Sequence, residues 1–220
     1  MRLGAVLFAV AGVALAQNGA PQNGAVQESA AGERITYTKK FPGSDPAYVS
    51  ITVDRAGKVV YKEDPDDDQP DTFQLEPQFT TTIFQLAAKL DHFKKNLESG
   101  MKVANMGAKT FRWDDGSDAG QATFNYSTEP AAQQLWQCFE TMTESQRAFL
   151  ELNRAVRHDK LGVNDALLKI SDLWTSQKLV GTPQLLPLFD RVAKDESFVN
   201  IARERAAELA QAIRAWSKNN

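Results

Sequence analysis

Between residues 48 and 62 apolar and polar side chains alternate. Val49, Ile51 and Val53 fall on one side of an extended segment, and Tyr48, Ser50, Thr52 and Asp54 on the other, which is the pattern of a half-buried strand. Arg55-Ala56-Gly57 supplies a turn with a glycine open to positive φ, and residues 58–62 return as the partner strand. The same period predicts a third strand at 35–39 and a short one at 73–75. A second hairpin is expected from 109–113 and 121–126, joined by the polar loop 114–120. Behind Pro77 the period changes, because Phe79, Ile83, Leu86, Ala87 and Leu90 recur at spacings of three and four. A helix with that stripe should lie across the sheet.

From Pro130 onward the spacing is helical. Thr143-Glu-Ser-Gln146 has the form of a capping box, so a helix break is expected there, followed by a second helix with Phe149, Leu152 and Val156 inward. Asn164 is the expected N-cap of a helix through Gln177, and Thr182-Pro183 opens another. Asp195 or Ser197 should cap the last, whose stripe is Ile201, Leu209, Ala212, Ile213 and Trp216. The fold class is therefore α+β. A small antiparallel sheet with a packed helix (residues 34–142) is followed by an antiparallel helical bundle (143–220).

The start of the chain changes the picture of where such a protein works. Arg2, the apolar run 3–13 and Ala14-Leu15-Ala16 have the charge, length and cleavage pattern of a signal peptide over residues 1–16. An exported protein, periplasmic or extracellular, is expected. Its mature N-terminus would be Gln17, which offers no cysteine for lipid attachment. Residues 17–33 carry the near-duplicate Gln17-Asn-Gly-Ala20 and Gln22-Asn-Gly-Ala25 with almost no large apolar residue, and read as a flexible leader. No later segment approaches the roughly 20 apolar residues of a membrane span. The single cysteine, Cys138, lies in a helical apolar patch and reads as a buried, inert thiol. At a net charge of −3 with basic and acidic residues interspersed, nucleic acid is an unsuitable partner. A monomer whose partner is an envelope protein, peptide or glycan is expected.

The run Tyr48-Val-Ser-Ile-Thr-Val-Asp-Arg-Ala-Gly-Lys-Val-Val-Tyr61, a helix ending in Asp91-His92-Phe93 and a further hairpin resemble a family of small exported bacterial domains of unknown function. The likeness covers residues 34–142. Where that family carries paired cysteines before the first strand, this chain has Phe41-Pro-Gly-Ser-Asp-Pro46. The resemblance implies the fold and the exported setting, and brings with it no catalytic residue.

Four groups carry candidate chemistry. Asp64, Asp66 and Asp68 have the alternate spacing with which one loop wraps Ca²⁺, although Gln69 and Leu75 stand where such a loop wants Gly and Glu; the other reading is a solvated loop, and no other cofactor is implied. Asp114, Asp115 and Asp118 offer carboxylates for general acid and base work, the basis of the alternative that the protein is a hydrolase of an envelope substrate, but Asp-Gly-Ser is also turn chemistry. His92 and His158 sit near helix ends, where capping explains them. Last, Phe111 and Trp113 share one strand face, as do Phe124 and Tyr126, with Lys109 on the side of Phe111 and Trp113. They would form a flat platform for a sugar or peptide, or else pack beneath the helix behind Pro77. With no nucleophile elbow, zinc motif or phosphate loop in the chain, the favoured function is a non-catalytic binding or interaction module. Asn125-Tyr-Ser127 also matches a glycosylation sequon.

Overall fold

The computed structural model describes residues 32–218. The expected signal peptide and nearly all of the expected leader lie outside them. Six strands, β1 (Arg34–Lys40), β2 (Tyr48–Asp54), β3 (Lys58–Lys62), β4 (Asp71–Gln74), β5 (Ala108–Asp114) and β6 (Ala119–Phe124), form one sheet in the order β4-β3-β2-β1-β5-β6. Every neighbouring pair is antiparallel. The segment expected as a third strand is thus a central one, flanked by both hairpins.

Period two decides what each face carries. Tyr37 stands opposite Ile51 and Phe111, and Ile35 opposite Val53 and Trp113; all six are buried. The other face carries Thr36 and Thr52, whose hydroxyls meet at 3.0 Å, and Thr110 and Thr123 at 2.9 Å. One face is therefore covered and the other polar, as antiparallel sheets allow.

The cover comes from α1 (Pro77–Lys89) and the first half of α2 (Pro130–His158). Ile83, Phe84, Leu86 and Ala87 of α1 and Leu135, Phe139 and Met142 of α2 complete one apolar cluster with the sheet. A second cluster begins at Ala148 of α2 and takes in α3 (Val163–Thr175), α4 (Leu186–Lys194) and α5 (Asn200–Ser217). The architecture is α+β, with C-terminal helices that can be described as a bundle.

Helix α2 runs for 29 residues without the break expected at Thr143 to Gln146. The side chains read as a capping box are spent elsewhere. Thr143 donates to the Phe139 carbonyl one turn back, and the Ser145 hydroxyl donates to the Lys178 carbonyl and accepts the Val180 N–H, both at 3.1 Å. Gln146 accepts from the Gln184 amide. Two further caps fall elsewhere than expected. Gly162 precedes α3 and Val199 precedes α5, neither with a side-chain cap; Asn164 instead accepts from Arg205, and Asp195 from the Ser197 N–H. Ile201 and Trp216 of the expected inner stripe are exposed, whereas Leu209 and Ile213 are buried. Among the described residues no helix is long and apolar enough to cross a membrane.

Candidate functional site

The register that builds the core also places two lysines on its covered face. Lys39, in phase with Ile35 and Tyr37, stands directly opposite Lys109, which stands opposite Phe124 on β6. Like charges paired across strands repel, and α2 answers with Glu140. Lys39 Nζ donates to both Glu140 oxygens at 3.1 Å, the Tyr37 hydroxyl donates at 3.0 Å and Trp136 Nε1 at 2.9 Å. Burial, followed by the Glu140 charge, pushes the Tyr37 hydroxyl far up, so it remains a donor. Three of these four contacts fall on Glu140 Oε1 and one on Oε2.

Lys109 takes a different set. Only 2% of the residue is exposed, and Nζ donates to the Asn125 carbonyl at 2.7 Å, with longer contacts to Met106 O at 3.3 Å and Gly107 O at 3.4 Å. The Trp136 ring centroid lies 5.3 Å from Nζ and that of Phe124 6.0 Å. Burial, followed by the Lys39 charge, holds the ammonium below its ordinary range against the opposing charges of Glu140 and Glu98.

Lys109 lines a cavity of about 310 Å³ between the end of β6 and the first turns of α2. Phe124, Tyr126 and Trp136 give it aromatic walls; Asn125, Ser127, Gln133 and Gln137 give it polar ones. Its volume is at the lower end of small-molecule sites. Several of these groups are held in place. Gln133 Nε2 donates to the Ser127 carbonyl at 2.9 Å, while the Asn125 side chain accepts the Met106 N–H at 2.7 Å and donates to the Ala104 carbonyl at 3.0 Å. The sequon amide is thereby committed to the loop before β5.

The exposed aromatic platform does not form. Phe111, Trp113 and Phe124 are 0%, 6% and 4% exposed, because their strand face is the one beneath the helices, and Phe111 and Trp113 stand opposite Ala122 and Gly120 rather than aromatic residues. Tyr126 lies beyond the end of β6. Of the four, Phe124 and Tyr126 reach the cavity. Lys39, Glu140, Trp136, Gln133 and Gln137 were not singled out by the sequence reading, although Lys39 shares the phase of Tyr37 and Trp136 precedes Glu140 by one helical turn.

The remaining candidates take ordinary structural roles. The Asp64 carboxylate accepts the Asp66 N–H at 2.9 Å, and among the described residues no three His, Cys, Asp or Glu side chains stand together to hold a metal ion. Asp114 accepts from the Gly116 N–H, Arg34 and Arg112; Asp115 from the Ser117 and Asp118 N–H groups; Asp118 from Lys94. These donors hold all three carboxyls below their usual range, so none of them keeps a proton to donate near neutrality. None of the three lines the cavity at Lys109. His158 is exposed at the end of α2. His92 does not cap a helix: it sits in a turn whose residues Asp91, His92 and Phe93 all have positive φ, with its ring 4.2 Å from that of Trp113. Cys138 is half-buried rather than fully buried, and burial pushes its thiol up to about 11.

The sequence matches no protein-family model and no curated protein.

Proposed function

We propose that this protein is an exported, non-catalytic binding module whose site is the cavity between β6 and α2, and that it takes a compact polar ring such as one sugar residue of an envelope glycan. The observation that carries the reading is the pairing, in one cavity of about 310 Å³, of the Trp136 and Tyr126 rings with the amides of Gln133 and Gln137. Aromatic faces suit the C–H side of a sugar, and amides and hydroxyls suit its O–H groups. The exported setting rests on the pattern of residues 1–16, and the non-catalytic character on the missing nucleophile motifs.

The test is thermal unfolding of the full chain with glucose, galactose and N-acetylglucosamine, each beside its methyl glycoside. A ligand that prefers the folded state raises the transition temperature. The expected result is a saturable rise with at least one sugar that is lost in Tyr126→Ala and Gln137→Ala, both of which unfold near the wild-type temperature in its absence. A flat response to all six compounds overturns the reading.

A further inference from the structure

The charges at the cavity do not balance within its wall. Lys39 and Glu140 form an ion pair at 3.1 Å and offset one another. Lys109 has no such partner: among the described residues no carboxylate stands within ion-pairing distance of its Nζ. Three carbonyl oxygens take its three N–H groups, and the Trp136 and Phe124 rings flank it. These partners hold a charged ammonium in place and satisfy its donors, but none of them brings a negative charge. Glu98 spends its carboxylate on the Asn125 N–H at 2.6 Å and on the Ser99 hydroxyl. A lysine is rarely this deeply buried without an ionic partner. Among the described residues that line the cavity, Lys109 is also the one charged side chain. The space between the Trp136 and Tyr126 rings is therefore electropositive, and the Gln137 side-chain amide on its wall has no hydrogen bond to the described residues.

We propose that the cavity selects a sugar ring bearing a carboxylate, a uronic acid, and that the Lys109 ammonium is the group that selects it. The proposal rests on the cavity being a sugar site and names the charge of the ring it takes. Lys109 acts through its field: its N–H groups stay with the carbonyls that hold it, and the carboxylate supplies the counter-charge those carbonyls lack. Such an attraction is stronger beside a wall of rings and amides than in open water, because the local dielectric is lower. The Gln137 amide is free to donate to the same carboxylate or to a ring hydroxyl. One cation suits the single charge of a carboxylate, whereas a phosphate monoester, with a charge of about −1.5 to −2 at neutral pH, calls for a second cation that this wall does not hold.

The experiment is calorimetric titration of the full chain near neutral pH with methyl glucoside and methyl glucuronide, and with the matching galactoside and galacturonide. Each pair differs only at the exocyclic carbon, a hydroxymethyl in one member and a carboxylate in the other. In at least one pair the acid should bind about tenfold more tightly than the neutral glycoside, and added salt should narrow that gap. The preference should persist in Lys109→Arg, which keeps the charge. It should vanish in Lys109→Gln, which keeps a donor for the Asn125 carbonyl but not the charge; if this variant does not fold, the comparison within each pair on the wild type decides alone. Equal affinity of the wild type for acid and neutral glycoside in both pairs overturns the proposal and leaves the sugar site standing. A preference for the acid that survives in folded Lys109→Gln overturns it too, since the selecting charge then lies elsewhere. Binding of neither member of either pair removes both readings together.

Discussion

Two residues at the Trp113 end of the sheet show how single positions govern this fold. The composition of residues 17–33 reads as a flexible leader, yet the Glu33 carboxylate accepts from Trp113 Nε1 at 2.7 Å and from Arg55. Burial pushes that carboxyl up, but Arg55 and Trp113 outweigh it and hold it below its ordinary value of 4.5. A depressed folded-state value contributes stability above the unfolded-state value and loses it as pH falls through the folded one. Glu33→Gln should therefore lower the urea midpoint at neutral pH, and its deficit should shrink as pH is taken from about 5 towards about 3. Gly120 acts through space instead of charge. A Cβ there would stand 2.0 Å from the His92 carbonyl oxygen, a backbone atom in the left-handed turn that sets the His92 ring against Trp113. Gly120→Ala is expected to cost at least the about 3 kcal/mol at the top of the overpacking range. Gly100, with φ of +67° and open space around a built Cβ, is the control: Gly100→Ala should cost only about 1 to 2 kcal/mol of backbone strain. Both are read from urea midpoints at unchanged m-value.

Strands were the most legible elements, because alternation records which side of a sheet is covered, and both hairpins follow from it, while the stripe Ile83, Leu86, Ala87 and Leu90 follows from spacings of three and four. Phase alone does not say whether an aromatic pair faces water or a helix. For that reason Phe111 and Trp113 are open to a surface reading, and only the register of β1 with β5 makes Lys39 and Lys109 neighbours. Helix ends were less legible, since Ser, Thr and Gln serve equally as caps and as ties between distant segments. Ser145 is the clearest example. Its hydroxyl satisfies the buried Val180 N–H across 35 residues, so Ser145→Ala leaves that donor without a partner while removing no apolar contact. The expected cost is about 1 to 3 kcal/mol, and amide hydrogen exchange at Val180 should accelerate accordingly, whereas a Ser145 that merely tolerated its place in α2 would leave that amide protected.

On the scale of the molecule, the apolar interior divides where α2 passes from Met142 to Ala148, so one continuous helix belongs to both halves. Other ties supplement it. The Glu76 carboxylate at the start of α1 accepts the N–H groups of Gly181 and Thr182 at 3.0 and 2.9 Å and the Thr182 hydroxyl at 2.8 Å. Val180 also packs into the cluster beneath the sheet, although it lies between α3 and α4. A shared helix couples two cores only while its hydrogen-bond ladder is intact, because bending either half then carries the other with it. The wild type should accordingly lose helix signal and tryptophan fluorescence in one coincident transition, with Trp113 and Trp136 reporting from one half and Trp174 and Trp216 from the other. Glu144 is exposed on α2 at the division, so Glu144→Pro puts no ring into either apolar cluster; it breaks the ladder at the Glu140 carbonyl and should cost about 3 kcal/mol. Hydrogen exchange followed through a urea series is expected to show α3, α4 and α5 losing protection before β1, β2 and β5, whose cross-strand pairing survives the cut. If both halves of this variant still open together, the coupling resides in Glu76, Ser145 and Val180 and not in the helix.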